Sequence, residues 1–158
     1  MDLPSYYITT PIYYVNDVPH IGHAYTTLAC DAMARFKRLD GYQVLFLTGT
    51  DEHGQKVETA AKDRGLAPQE FTDQVSQNFR DLLPILNVSN DDFIRTTEKR
   101  HRVSAQTIWQ KLMNNGHIYL DKYSGWYSLR DETYFTETEL IDGNAPTGAP
   151  VEWVEEES

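Results

Sequence analysis

Val44-Leu45-Phe46-Leu47-Thr48-Gly49-Thr50 is a short, unbroken apolar run that closes on a glycine. A strand without polar alternation must be covered on both faces, which is the condition of a strand inside a parallel sheet. Parallel neighbours need a long crossover, usually a helix, and the flanking sequence supplies one. Tyr6-Tyr7-Ile8-Thr9-Thr10 is rich in aromatic and β-branched residues and reads as a strand, ended by Pro11. From His20 onward Leu28, Ala29, Ala32, Phe36 and Leu39 recur at three- and four-residue spacing, which predicts a helix with these residues as its apolar stripe, stopped by Gly41. A second helix is predicted from about His53 to Arg64, ended by Gly65. The order strand, loop, helix, strand, loop, helix is the grammar of an α/β, doubly wound parallel sheet.

Residues 68–86 predict another helix, with Phe71, Val75, Phe79, Leu82 and Leu83 on one face. Phe93-Ile94-Arg95 is a brief strand candidate. Thr97 is placed to cap a helix whose buried stripe would be Ala105, Ile108, Trp109 and Leu112, ended by Asn115-Gly116. The texture then changes. Ile118 to Phe135 is Tyr- and Trp-rich with hairpin-like alternation, and Gly143 to Pro150 is turn-rich. We therefore expect a first domain over residues 1–117 and the beginning of a small β-rich module over 118–158, with the whole chain a fragment.

The net charge of −10 argues at first sight against a nucleic-acid partner. Its distribution removes that objection. Residues 131–158 carry nine acidic side chains and no Lys or Arg, whereas residues 1–130 carry 14 basic and 15 acidic ones. A hydrophobic content of 40% and an aromatic content of 12% describe a globular chain. No apolar run approaches membrane-spanning length, and no basic-then-apolar leader opens the sequence. Cys30 is the single cysteine, so an internal disulfide is impossible and a reducing, cytoplasmic setting is expected.

His20-Ile21-Gly22-His23 follows the turn Asn16-Asp17-Val18-Pro19 and opens the first helix. A helix start presents unpaired N–H groups and a partial positive charge, which suit phosphate, and two imidazoles add donors there. The same histidines have a spacing compatible with zinc, and Asp51, Glu52 and His53 could extend such a ligand set. Thr48-Gly49-Thr50-Asp51-Glu52-His53-Gly54 is read either as a binding turn or as an ordinary helix cap led by Asp51. Arg95, Lys99, Arg100 and Arg102 form a local basic cluster, either a solvated helix face or a place to meet RNA phosphates. Both motif loops leave the carboxyl ends of strands, so they can line one site.

Pro11-Ile12-Tyr13-Tyr14-Val15-Asn16 leading into His20-Ile21-Gly22-His23 resembles the signature of class I aminoacyl-tRNA synthetases. Together with Thr48-Gly49-Thr50-Asp51-Glu52-His53-Gly54-Gln55-Lys56, Arg95-Thr96-Thr97 and Gly125-Trp126-Tyr127, the pattern resembles the methionyl branch, from about residue 5 to 153. The resemblance implies the first half of a Rossmann-like nucleotide-binding sheet followed by an inserted module. It implies activation of methionine by ATP, accompanied by Mg²⁺, to methionyl-adenylate, and then transfer to the acceptor end of tRNA(Met). By position it assigns His20 and His23 to the ATP phosphates and to catalysis, with Asn16 and Gly22 seating the nucleotide. Asp51 would hold the methionine ammonium, and Pro11, Ile12 and Tyr14 would line the amino-acid pocket. Many relatives carry paired cysteines in the insertion. Here the matching positions are Ser128 and Asp131, then Asn144-Ala145-Pro146-Thr147, so no structural zinc is expected and Tyr123, Trp126, Tyr127, Tyr134 and Phe135 should hold the module instead.

The chain lacks the family's Lys-Met-Ser-Lys-Ser loop and the second half of the nucleotide fold, so it is expected to be inactive alone. Two rival readings stand beside this one. One is a small nucleotidyltransferase with the same His-x-Gly-His element. The other is a non-catalytic module derived from a synthetase that binds nucleotide or tRNA. A metal-dependent hydrolase built on His20, His23, Asp51 and His53 ranks last.

Overall fold

A computed structural model describes residues 3–157. They fall into two compact units, the first reaching Ala105 and the second starting at Gln106. The first contains β1 (Ser5–Thr9), β2 (Tyr13–Tyr14), α1 (Ile21–Leu39), β3 (Gln43–Asp51), α2 (Gln55–Asp63), α3 (Pro68–Ile85) and β4 (Asp92–Arg95). Helix α4 (Lys99–Asn114) runs across the division and ends before residue 117. The second unit contains β5 (Lys122–Ser128), β6 (Thr133–Phe135) and β7 (Glu152–Glu157). Among the described residues no helix is long and apolar enough to cross a membrane.

β3 is the centre of the first unit's parallel sheet. It pairs with β1 from Ser5↔Gln43 to Thr9↔Leu47, with β2 at Tyr13↔Thr50 and Tyr14↔Asp51, and with β4 from Leu47↔Asp92 to Thr50↔Arg95. Leu47 meets Thr9 on one side and Asp92 on the other, so β1 and β2 share one edge and β4 forms the opposite one. The chain thus crosses the sheet in one direction, from β1 to β3 to β4. Right-handed crossovers then place α1, α2 and α3 on a single face. Phe79 of α3 accordingly packs on His23 of α1, ring centroids 5.1 Å apart. Tyr7 of β1 and Leu45 of β3 remain more than half exposed, so the strand over Val44–Thr50 is not covered on both faces as its apolar run suggested: the helices of this unit cover one face only. This is one half of a doubly wound sheet, with helices on one side.

The core joins the ends of the strands to α2 and α3: Tyr13, Val15, Val57, Ala61, Phe71, Val75, Phe79 and Phe93 are buried together, with Leu83 packed against them. Each large side chain buried there contributes about 1.5–3 kcal/mol relative to exposure. The stripe expected on α3 is therefore the one the structure uses at Phe71, Val75 and Phe79.

The expected stripe of α1 is not. Its buried positions are Thr27, Asp31 and Ala34, while Leu28, Phe36 and Leu39 are exposed, Leu39 by 89%. The polar face goes inward because every polar group on it finds a partner. Thr27 Oγ1 bonds the Tyr13 hydroxyl at 2.7 Å. Asp31 accepts from the N–H and hydroxyl of Ser89 at 2.7 and 2.6 Å and from Arg35 Nε at 2.6 Å. Periodicity marks a face able to be buried but supplies no surface to bury it against. α4 makes the same point, since none of its residues is buried and Ile108 and Trp109 are about 60% exposed.

The second unit is an antiparallel sheet in the order β6-β5-β7. Rings hold it as expected: Tyr134 contacts Tyr123 at 4.8 Å and Tyr127 at 4.9 Å, and Trp126 meets Trp153 edge-on at 5.4 Å. Its turn-rich part is fastened by polar groups. The Ser128 hydroxyl, fully buried, donates to Asp131 Oδ2 at 3.1 Å, and Thr147 Oγ1 donates to the same oxygen. Arg130 donates to the Thr147 carbonyl at 2.8 Å. Buried Ala145 and Ala149 close the turn through an N–H···O=C bond of 2.9 Å.

Candidate active site

Parallel strands end on the same edge of a sheet, and ligands of such folds collect there. β2 leads into the turn that carries Asn16 and His20, and β3 ends at Asp51. Because Tyr14 pairs with Asp51, and the Val15 N–H donates to the Asp51 carbonyl at 3.3 Å, the two sequence motifs are cross-strand neighbours. Buried Thr10, just past the end of β1, is tied to buried Thr48 of β3 by a hydroxyl pair at 2.7 Å.

His20 is the N-cap of α1, with extended backbone, and His23 lies in the first turn. The two form a reciprocal capping box, an arrangement usually made by Ser or Thr with Glu or Gln. His20 Nδ1 accepts from the Gly22 N–H at 3.1 Å, and His23 Nδ1 accepts from the His20 N–H at 3.1 Å. A neutral imidazole that accepts at Nδ1 carries its proton on Nε2. Both rings are thereby set as Nε2–H donors at a helix N-terminus, tilted by 30° with centroids 3.9 Å apart. Gly22 leaves room for the ring, since a Cβ there would lie 3.0 Å from His20 Cε1 and press on it.

His23 is further held by two residues with no expected role in the site, Tyr13 and Phe79. Tyr13 meets its ring edge-on at 4.8 Å, and Phe79 does so at 5.1 Å. Burial, then the neighbouring His20, push the His23 imidazole below its ordinary pKa of 6.5. Burial pushes the Tyr13 phenol up, so Tyr13 stays a neutral partner for Thr27 and for the His23 carbonyl, which it reaches at 3.3 Å.

Asp51 and Glu52 are adjacent carboxylates with opposite fates. Successive residues at a strand end point to opposite sides. Glu52 turns inward, its side chain 0% exposed, and Asp51 keeps partial access to solvent. Asp51 is the end of β3 rather than the cap of α2, a place taken by Gly54. Gly54 sits at φ 115°, and a Cβ there would fall 2.3 Å from the Tyr14 hydroxyl oxygen, so only glycine lets Tyr14 lie across this turn. Pro11 and Ile12 are exposed in the connection between β1 and β2, Asn16 is exposed beyond buried Val15, and His53 lies with Nε2 3.5 Å from the Thr96 carbonyl.

The basic cluster is largely spent on structure. Arg95 grips Glu52 and Asp73, and Arg100 grips Asp92 and Glu98. Thr97 gives its hydroxyl to Glu52 instead of capping α4. Among the described residues no group of three or more His, Cys, Asp and Glu is arranged to hold a metal ion. At the positions matching paired cysteines, the oxygens of Ser128, Asp131 and Thr147 hydrogen-bond one another, a donor set that does not suit zinc.

The chain is similar to known proteins in both sequence and fold. A family model described as tRNA synthetases class I (M) matches residues 6–152. A methionine–tRNA ligase of Rickettsia felis is 64% identical over 98% of the chain and 30% of its own length. One of Listeria monocytogenes is 54% identical over 98% of the chain and 25% of its own length. The solved structure of Mycobacterium tuberculosis methionyl-tRNA synthetase in complex with methionyl-adenylate superposes with a TM-score of 0.89 at 49% identity, covering 98% of this chain and 31% of that one. The chain thus spans about 30% of the length of its Rickettsia relative. On the match of the family model over nearly all its length, the chain belongs to the class I tRNA synthetases (M).

Proposed function

We propose that this chain forms the part of a methionine–tRNA ligase that holds ATP, as its magnesium complex, and methionine for adenylate formation. The observation that carries the reading is the pair of imidazoles locked as Nε2–H donors beside Asp51 and Tyr14 on one sheet edge. In the reaction, a methionine carboxylate oxygen attacks the α-phosphorus of ATP. The bond from that phosphorus to the bridging oxygen of the β-phosphate breaks, and pyrophosphate leaves with the electron pair. His20 and His23 meet the phosphate oxygens as charge redistributes, without giving up a proton. Asn16 and Gly22 seat the nucleotide, Asp51 pairs with the substrate ammonium, and Pro11, Ile12 and Tyr14 border the amino acid. The contribution is positioning and charge stabilisation rather than covalent catalysis. The acyl group then passes to the acceptor end of tRNA(Met). The second unit holds its fold without structural zinc, on the aromatic contacts and the Ser128–Asp131–Thr147 bonds.

The test is methionine-dependent pyrophosphate–ATP exchange. In the complete synthetase carrying this sequence, His23→Ala should lower the rate by about 10²-fold, the usual loss for one charge-stabilising donor. A rate within twofold of the parent removes His23 from the site. The 158-residue chain alone should show little exchange; robust exchange would mean that it holds the whole site.

A further inference from the structure

A heavily bonded, fully buried carboxylate of the first unit is Glu52, which the sequence motif passes over in favour of its neighbour. Its carboxylate, fully withdrawn from solvent, accepts from Thr50 Oγ1 at 2.7 Å, from Arg95 Nε at 2.7 Å and Nη2 at 2.9 Å, and from the Thr97 hydroxyl. Arg95 reaches on to Asp73 of α3 at 2.5 Å. The backbone around it is pinned as well. The Thr96 N–H donates to the Thr50 carbonyl at 3.2 Å, and the Glu52 N–H donates to the Thr96 hydroxyl at 2.9 Å. Asp51 is thus flanked by two residues whose side chains and peptide groups are fixed from the end of β4.

We propose that Glu52 and Arg95 are positioning residues: their two-pronged buried ion pair fixes the end of β3 so that the Asp51 carboxylate is presented to the amino-acid substrate. This rests on the proposed role of Asp51. The physical case has three steps. A strand end is free to twist or fray unless its last side chains are tied down. With Glu52 anchored inward, the alternation of the strand directs Asp51 to the other side. The guanidinium fork bonds both carboxylate oxygens and so fixes the rotation of Glu52 as well as its place, which a lysine cannot do. The strand ends β3 and β4 and helix α3 then move as one body beneath the site. Arg95 is therefore withdrawn from any role on RNA phosphates.

The test compares Asp51→Asn, Glu52→Gln and Arg95→Lys in the complete synthetase carrying this sequence, by pyrophosphate–ATP exchange with KM for methionine and for ATP measured separately. All three should raise KM for methionine about tenfold or more, with KM for ATP within twofold of the parent. If Asp51→Asn leaves KM for methionine unchanged, the reading of Asp51 fails. If Asp51→Asn raises it while Glu52→Gln and Arg95→Lys leave it within twofold, Asp51 keeps its role and the positioning proposal is overturned. A purely structural role would instead lower the melting temperature and the amount of active enzyme and leave both KM values alone, which also overturns it. Should Glu52→Gln not fold, Arg95→Lys, which keeps the charge and loses the fork, decides the matter by the same KM comparison.

Discussion

The backbone N–H of His20 donates to Nδ1 of His23 at 3.1 Å, so the second imidazole of the motif caps the residue that carries the first. His20 returns the bond through its own Nδ1 to the Gly22 N–H at 3.1 Å. A single turn of chain thereby satisfies two orphan donors of the helix and sets the tautomer of both rings.

Nitrogen-15 NMR of the histidine side chains should therefore show both His20 and His23 as Nε2–H tautomers at neutral pH. His23 should titrate below 6.5, since burial and then His20 lower its pKa. The folded state binds this proton more weakly than the unfolded chain. Its contribution to stability is then complete above about pH 6.5 and is lost as pH falls through the folded value. A His23 that titrates above 6.5, or an Nδ1–H form, would contradict the capping geometry.

Gly49→Ala should destabilise the first unit strongly. An added Cβ would lie 2.0 Å from the Ile94 carbonyl oxygen and 2.7 Å from its Cγ2, where β3 and β4 touch. The oxygen belongs to paired backbone and cannot swing away, so the strands must part. The expected loss is on the order of 3 kcal/mol, the upper range for overpacking, read from the urea midpoint. A change below about 0.5 kcal/mol, the scale of a neutral surface substitution, would show that β4 does not approach so closely.

Cys30 should be a slow thiol. Burial raises its pKa above the ordinary 9.0, and its Sγ lies 3.8 Å from the Thr9 carbonyl. The thiolate is the reactive species, so labelling by a disulfide reagent at pH 8 should lag well behind that of free cysteine and recover in denaturant. Equal rates before and after denaturation would refute the half-buried placement.

Asp131→Ala should loosen the turn-rich part of the second unit, seen as faster proteolysis within residues 129–151, and added zinc should not restore the parent rate. The carboxylate is held below its usual range mainly by the bond from Thr147, with Ser128 and Arg130 assisting. A depressed carboxylate stabilises above its unfolded pKa, and the effect fades as pH falls through the folded value. The difference between the parent and Asp131→Ala should therefore vanish in acid. Zinc found in stoichiometric amount by elemental analysis, or protection by added zinc, would overturn the polar account of this turn.

Much of this molecule was legible in the order of its residues. Val44 to Thr50 had to be a strand of a parallel sheet, though Leu45 stays half exposed, and the helices around it had to cross right-handedly, so the shared edge of the two motif loops followed from local pattern and handedness. His20, Gly22 and His23 could be placed at a helix start for the same local reason. What chain order could not express was direction. Leu28 and Phe36 gave α1 a regular apolar stripe, yet Asp31 and Thr27 face inward because Ser89 and Tyr13, from outside the helix, meet their polar groups. Asp51 and Glu52 are equivalent acids in a row until β4 delivers Arg95 to one of them. Periodicity and spacing act within a segment. The choice of face, and the choice between two neighbouring carboxylates, depends on burial and pairing across segments, which only the tertiary structure brings together.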